Sequence, residues 1–177
     1  MKNLNLPNFL TVLRILLVPF CVAALVYHHG TSATWQWIAW IGFFLIGVTD
    51  YFDGKIARSR GTITPLGEFL DPVADKIAVG AALISLNYLH RLFWWVTVII
   101  LVREISVTLL RLIVLKDGVI PASKGGKLKT FFQGFGIGFY ILPLPQYLHL
   151  PRDLFMGIAV ILTITSGYDY FKKVLMR

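Results

Sequence analysis

Four aspartates form two pairs with helical spacing in the first half of the chain. Asp50 and Asp53 are three residues apart, and Asp71 and Asp75 are four apart. Residues at these separations lie on one face of an α-helix, so each pair presents two carboxylates on a single face. Hard divalent cations such as Mg²⁺ and Mn²⁺ take oxygen ligands. Because four close carboxylates repel one another unless they are neutralised, the spacing predicts a metal site that holds two ions.

The same spacing continues in three small residues and an arginine. They are Gly54, Ala57, Arg58 and Gly67. The first three lie one or two turns after Asp50 on its side of the helix, and the last precedes Asp71 by one turn. A glycine beside an acid leaves room for a ligand to approach the helix backbone, and an arginine can bind a phosphate or a carboxylate. These residues predict a ligand pocket next to the metal site.

Each of these residues also has a simpler explanation. Asp71 and Pro72 fit a helix N-cap followed by proline at the first helical position. Either aspartate of the first pair could form an ion pair with Lys55 or Lys76, and Gly54 could serve helix packing. Together, these explanations do not account for four acids that lie on one face of their helices and, as the membrane topology below indicates, at one depth in the membrane. The metal site is therefore the favoured interpretation.

The composition is that of a membrane protein. Of the 177 residues, 56% are hydrophobic and only 15% are charged, and the mean hydropathy is +0.71. A soluble domain of this length carries more charge, and apolar stretches of about 20 residues recur along the chain, as membrane-spanning helices require. We predict one all-α polytopic membrane domain over residues 1–177, with six transmembrane helices at about 9–27, 35–56, 71–89, 92–115, 129–148 and 153–171.

The N-terminus is predicted to lie on the membrane surface as a short interfacial helix. The first eight residues have an amphipathic pattern, and the chain is expected to turn into the membrane at Pro7 and Asn8. The apolar run that follows contains Arg14 and Pro19 and lacks a convincing small-residue cleavage site. We therefore expect this run to stay as the first helix and not to be removed as a signal peptide.

The basic residues predict the orientation of the helices. All of the 17 lysines and arginines except Arg91 and Arg152 lie near the termini or in two central segments. By the positive-inside rule, both termini and the loops at 57–70 and 116–128 face the cytoplasm. The four aspartates then lie in the cytoplasmic third of the membrane. A net charge of +8 on one face suits anionic lipids or an anionic substrate. Nucleic acid is not an expected partner, because the sequence shows no soluble basic module that could bind it.

A second group of basic residues lies in the second half of the chain. Its members are Arg103, Arg111, Lys127 and Lys129. Arginines at membrane depth should face the interior of the helix bundle and meet an anion, so we predict a phosphate-binding pocket. The alternative is structural pairing of the two arginines with Glu104 or Asp117, together with loop lysines that satisfy the positive-inside bias.

The residues from Asp50 to Asp75 fit the pattern D-x2-D-G-x2-A-R-x8-G-x3-D-x3-D at all eight fixed positions. This pattern is the signature of the CDP-alcohol phosphotransferase family, which the chain therefore resembles. Four further pieces resemble the bacterial branch that makes phosphatidylglycerophosphate. They are N-L-P-N-F-L-T-V-L-R near the N-terminus, D-P-V-A-D-K, L-V-R-E-I and G-K-L-K-T-F-F-Q. The resemblance covers nearly the whole chain.

This resemblance implies a six-helix fold in the bacterial inner membrane, a homodimer, and a site with two Mg²⁺ or Mn²⁺ ions that opens to the cytoplasm. The first three aspartates of the pattern, Asp50, Asp53 and Asp71, would be metal ligands. Asp75 would lie at the metals and act as the general base. The four remaining pattern positions, together with the first two aspartates, would line the pocket for cytidine diphosphate.

The resemblance also implies a reaction. A phosphatidyl group would pass from CDP-diacylglycerol to sn-glycerol 3-phosphate, with phosphatidylglycerophosphate and CMP as products, and the second basic group would bind the acceptor's phosphate. Within the family, inositol phosphate or phosphatidylglycerol could be the acceptor instead. From a different class, a cation or proton transporter could use intramembrane aspartates as carriers. The outer halves of the predicted spans are nearly free of the charges that such a path needs.

Overall fold

Helices make up most of the part of the chain that the structure describes. The computed structural model describes the backbone of residues 6–60, 65–114 and 124–176, and the side chains of residues 10–49, 70–110, 125–174 and 176. Within these ranges it contains no strand, so the predicted all-α class is confirmed there. The helices are α1 (Leu6–Val26), α2 (Ala33–Arg60), α3 (Pro65–Tyr88), α4 (Trp94–Val114), α5 (Lys124–Ile141) and α6 (His149–Leu175), with short 3₁₀ turns at Tyr27–Gly30 and Gln146–Leu148.

The six helices group into two compact units. The first unit contains α1 to α3 and comprises residues 1–89 and 141–143. The second contains α4 to α6 and comprises residues 90–140 and 144–177. That residues 1–177 form a single domain stays a prediction.

In the first unit, α1 packs against both α2 and α3. The three helices meet around a buried cluster of Val18, Cys21, Ile46 and Ala78. A Cβ atom at Gly42 would lie 2.5 Å from the sulfur of Cys21. Glycine at this position therefore lets α1 and α2 approach closely, which brings α1 near the hairpin that carries the acidic pattern.

In the second unit, α4 packs against α6, and aromatic contacts join α5 to α6. The rings of Phe132 and Phe139 on α5 lie 4.6 and 5.3 Å from the ring of Phe155 on α6. The hydroxyl of Tyr140 donates a hydrogen bond of 2.7 Å to Asp153. Aromatic pairs of this kind contribute about 0.5–1.5 kcal/mol each beyond the area they bury, so α5 is fixed to α6 along its second half.

The predicted boundary at 148 is wrong, because prolines end the fifth helix early. The span predicted at 129–148 is observed as α5, from Lys124 to Ile141. Pro143 and Pro145 follow shortly after this helix. A proline disfavours helical backbone at the residue before it, so α5 stops seven residues before the predicted end.

The predicted turn at Pro7 and Asn8 is also wrong. Helix α1 begins at Leu6 and continues through both residues without a break. Proline is accommodated in the first turn of a helix, where its missing N–H has no intrahelical partner to lose. Residues 1–5, over which the interfacial helix is predicted, lie outside the described residues.

Two helical segments of the described chain are long and apolar enough to cross a membrane. They are Leu10–Gly30 and Gln146–Val174, and Ala33–Thr49 is a shorter apolar helix. These segments agree with the predicted membrane class, and six membrane spans stay a prediction.

Candidate active site

The eight pattern positions are divided between two neighbouring helices. Helix α2 carries the first five, from Asp50 to Arg58, and helix α3 carries Gly67, Asp71 and Asp75. The side chains of residues 50–69 lie outside the described set. Of the predicted metal ligands, the structure therefore describes the carboxylates of Asp71 and Asp75.

The lengths of α2 and α3 bring the two aspartate pairs to similar levels. The helices contact each other, and only residues 61–64 connect them, so they run antiparallel as a helical hairpin. Asp53 lies seven residues before the end of α2, and Asp71 lies six residues after the start of α3, which is roughly 10 and 9 Å along the two axes. Asp50 and Asp75 are each ten residues from those ends, or roughly 15 Å. The backbone thus supports a four-acid site.

Asp71 lies against helix α1. Its carboxylate is partly buried, and its Oδ1 atom accepts a hydrogen bond of 2.6 Å from the hydroxyl of Thr11. Thr11 is 1% exposed. The carboxylate forms no ion pair with any side chain that the structure describes. A partly buried carboxylate without a cationic partner is unfavourable, and a bound cation would remove that penalty.

The N-cap explanation for Asp71 and Pro72 is wrong. Helix α3 begins at Pro65, so Pro72 lies inside the helix and Asp71 is a helical residue one turn before Asp75. Pro65 takes the first helical position that proline favours. Inside the helix, Pro72 has no N–H to donate to the carbonyl of Glu68. Helix α3 therefore lacks one backbone hydrogen bond next to the acidic pair.

The described part of this site fits a divalent cation by its chemistry. Asp71 is partly buried, and Asp75 is exposed one turn later. Both supply oxygen donors, which Mg²⁺ and Mn²⁺ prefer over nitrogen or sulfur. Among the described side chains, the hydrogen bond from Thr11 occupies one of about four lone-pair sites on the Asp71 carboxylate and leaves the others for a cation. Among the described side chains no group of three possible ligands is found; the other two acids of the pattern lie outside that set.

The second basic group is centred on Glu104. One oxygen of Glu104 accepts a hydrogen bond of 3.1 Å from Arg103 and another from the ammonium group of Lys129. The second nitrogen of the Arg103 fork donates to the hydroxyl of Ser166 on α6 at 3.1 Å. A Cβ at Gly167 would lie 3.2 Å from the Arg103 side chain. Glycine there leaves space for the arginine to lie along α6.

The structure brings two of the four predicted phosphate ligands together. Arg103 and Lys129 meet at Glu104, which is the pairing that the alternative explanation predicts for Arg103. Lys127 lies on α5 and is exposed. Arg111 lies on α4, and its side chain is outside the described set. The described cluster therefore contains two cations and one carboxylate within a single unit.

Two polar residues that contact these sites were not predicted from the sequence. Thr11 contacts the acidic pair, and Ser166 contacts the basic group. Both are polar residues within strongly apolar helices, and such residues usually face the helix bundle. A polar residue within an apolar helix can be recognised in the sequence, but this does not predict which group its buried hydroxyl contacts.

Comparison with known proteins identifies the family to which the sequence is similar. The profile of the CDP-alcohol phosphatidyltransferase family matches residues 4–165. A Mycobacterium tuberculosis protein named probable phosphatidylglycerophosphate synthase is 48% identical over 171 residues, which covers 97% of this chain and 82% of the relative. Proteins from Haemophilus influenzae and Bacillus subtilis, both named CDP-diacylglycerol–glycerol-3-phosphate 3-phosphatidyltransferase, are 37% and 35% identical. The alignments cover 95% and 96% of this chain and 92% and 94% of those relatives.

The resemblance drawn from the sequence is therefore confirmed. The eight-position pattern, the profile match over most of the length and the relatives covered over 82–94% of their own length all lead to one conclusion: the chain belongs to the CDP-alcohol phosphatidyltransferase family.

Proposed function

We propose that this protein transfers a phosphatidyl group from CDP-diacylglycerol to sn-glycerol 3-phosphate and so makes phosphatidylglycerophosphate and CMP. The main support for the proposal is the complete acidic pattern on the α2–α3 hairpin. Within this pattern Asp71 is partly buried, and no described side chain neutralises its carboxylate. The three relatives named above bear names for this same activity.

The acids of the hairpin have separate roles in the proposed reaction. Asp50, Asp53 and Asp71 would hold Mg²⁺ or Mn²⁺, with Asp75 beside them. When bound, these ions neutralise charge on the diphosphate and on the leaving CMP. The exposed carboxylate of Asp75 accepts the proton of the glycerol 1-hydroxyl. The hydroxyl oxygen forms a bond to the phosphorus that carries diacylglycerol, the bond from that phosphorus to CMP breaks, and CMP leaves.

The small residues of the pattern form the nucleotide pocket. Gly54, Ala57 and Gly67 leave the helix backbone open to cytidine diphosphate, and Arg58 binds a phosphate. All four lie within the α2–α3 hairpin, one or two turns from the acids. Their spacing on two helices that contact each other supports this assignment.

The second basic group binds the phosphate of the acceptor. Arg103 and Lys129 supply guanidinium and ammonium donors, and we assign Arg111 and Lys127 to the same pocket. The three described charges at Glu104 sum to one positive charge, and phosphate is a strong acceptor for arginine and lysine. Serine and choline acceptors lack this phosphate, so the cluster favours a phosphorylated alcohol.

The enzyme works in the inner membrane of a bacterium, with six spans, a homodimeric assembly and both termini and the active site on the cytoplasmic side. The six helices have 18 to 28 residues, which is about 27–42 Å and therefore close to or above the thickness of a hydrocarbon layer of about 30 Å. Large apolar side chains are exposed along them, such as Phe20 (72%), Trp94 (71%) and Ile161 (62%). Lipid contact explains such exposure, because water would oppose it.

The test is CMP release by the purified protein in detergent with CDP-diacylglycerol and Mg²⁺ or Mn²⁺. Glycerol 3-phosphate, inositol phosphate, phosphatidylglycerol and serine are supplied separately as acceptors. Release with glycerol 3-phosphate alone supports the proposal. Release with another acceptor keeps the chemistry and rejects the assigned acceptor. If folded protein releases no CMP with any acceptor, the proposed reaction is rejected. Metal-independent proton or cation flux in proteoliposomes would favour the transporter alternative.

A further inference from the structure

Helix α1 contributes a buried hydroxyl to the acidic site, although none of the eight pattern positions lies on this helix. Thr11 is 1% exposed, and its hydroxyl donates a hydrogen bond of 2.6 Å to Oδ1 of Asp71, 60 residues away along the chain. Both residues belong to the first compact unit, in which α1 packs directly against α3.

This contact differs from those of four other threonines in the described helices. Thr49, Thr108, Thr163 and Thr165 each donate to the backbone carbonyl four residues earlier in their own helix, which is the ordinary local bond of a threonine. The hydroxyl of Thr11 reaches the carboxylate of a different helix. Hydrogen bonds to ionised carboxylates are about twice as strong as neutral ones, so the bond from Thr11 restricts the rotation of the Asp71 carboxylate.

We propose that Thr11 is a positioning residue that orients the Asp71 carboxylate for a divalent cation. The inference rests on the proposed function, because it takes Asp71 as a metal ligand. Groups that hydrogen-bond to a metal ligand set its orientation, and their loss typically lowers metal affinity by about 10- to 100-fold. With Oδ1 bonded to Thr11, the carboxylate has fewer accessible orientations before the cation binds, and lone pairs remain on both of its oxygens.

The test compares Thr11→Val, which keeps the shape and removes the hydroxyl, with Thr11→Ser, which keeps the hydroxyl. Thr97→Val is the matched control. Thr97 is 5% exposed on α4, and its hydroxyl has no hydrogen-bond partner among the described residues. Mn²⁺ binding to the full-length protein in detergent, without substrate, is measured by electron paramagnetic resonance of the free ion. Thermal unfolding without metal is measured alongside.

We expect Thr11→Val to lower the Mn²⁺ affinity by roughly 10- to 100-fold. The Mn²⁺ affinities of Thr11→Ser and Thr97→Val should stay within about threefold of that of the unsubstituted protein. Metal-free unfolding of folded Thr11→Val should change far less than its Mn²⁺ affinity. Unchanged Mn²⁺ affinity in Thr11→Val overturns the proposal, and so does an equal loss in Thr11→Ser. If Thr11→Val does not fold, Thr11→Ala replaces it under the same criteria, because the smaller side chain cannot clash with α3.

Failure of the two proposals can be told apart. If the unsubstituted protein binds Mn²⁺ and Thr11→Val binds it equally well, Thr11 has no positioning role, whatever the acceptor is. If the expected loss of Mn²⁺ affinity is seen but CMP release occurs only with another acceptor, the positioning role stands and the assigned acceptor is wrong. If the unsubstituted protein binds no Mn²⁺, the positioning role is rejected together with the metal site.

Discussion

Replacement of Arg103 by alanine should impair use of the acceptor more than use of the nucleotide lipid. Arg103 donates to Glu104 and to Ser166, each at 3.1 Å, and its side chain is 16% exposed. In the alanine variant Glu104 keeps its partner Lys129. No buried carboxylate is left without a cation, so we expect the variant to fold.

The size of the effect follows from one lost charged hydrogen bond to phosphate. Such a bond contributes about 1.5–3 kcal/mol, which corresponds to a rise of roughly 10- to 150-fold in the KM for glycerol 3-phosphate. The KM for CDP-diacylglycerol should change by less than about threefold. If Lys129 moves from Glu104 to the phosphate in the variant, the rise falls at the lower end of the range.

The assay is CMP release with each substrate varied in turn while the other is saturating. Arg152→Ala is the control, because Arg152 is 17% exposed and binds the carboxylate of its neighbour Asp153 at 2.8 Å. It thus matches Arg103 in burial and in pairing with the next residue. The control loses its contact with the ring of Tyr140, 4.2 Å away, and should keep both KM values. Equal changes in both KM values for Arg103→Ala would refute the phosphate assignment.

Three further predictions concern the acidic site and the packing that supports it. In folded protein, Asp75→Asn should lower kcat for CMP release by about 10²- to 10⁴-fold, because the amide cannot accept the acceptor's proton; a loss of less than tenfold would reject Asp75 as the base. EDTA should abolish CMP release and excess Mn²⁺ or Mg²⁺ should restore it; activity that persists in EDTA would exclude a metal requirement. Gly42→Ala should lower stability by about 1–3 kcal/mol in chemical unfolding, because the new Cβ would meet the Cys21 sulfur at 2.5 Å. Gly47→Ala, where no atom lies within 4 Å, is its control. Cys21→Ala should relieve the defect in the double variant, and equal effects of the two glycine substitutions would contradict this account.

The positions of the acids could be predicted from the sequence because they depend on helical period alone. Two residues three or four apart share a helix face wherever the helix begins, so Asp50 with Asp53, and Asp71 with Asp75, needed no knowledge of the boundaries. The start of α3, in contrast, could not be predicted from helical period. Pro65 and Pro72 both resemble the first residue of a helix, and local sequence rules do not choose between them. The structure begins the helix at Pro65.

The contacts of Thr11 could not be predicted, because they depend on how three helices pack. Periodicity indicates that Thr11 and Arg14 share a face of α1, and both are buried. It does not indicate which residue of α3 lies opposite. That register follows from close packing of the three helices around the buried cluster of Val18, Cys21, Ile46 and Ala78, which is a property of the assembled unit. A hydrogen bond between residues 11 and 71 is therefore a result of tertiary structure.

Pairing at Glu104 and phosphate binding are compatible, although the sequence presents them as alternatives. Glu104 neutralises one of the two cations that it contacts, so the three described groups retain one positive charge. A phosphate monoester carries about −1.5 to −2 charges at pH 7, and it would still be attracted to this cluster. Without Glu104, the cations of Arg103 and Lys129 would repel each other in a largely buried setting. In the absence of the acceptor, both charges would then lack the counter-charge that Glu104 provides. In the proposed pocket, the carboxylate would hold the cations of Arg103 and Lys129 near each other and leave one positive charge for the substrate's phosphate. On this reasoning Glu104→Gln should loosen the pair and raise the KM for glycerol 3-phosphate; a lower KM would instead identify Glu104 as a competitor of the phosphate.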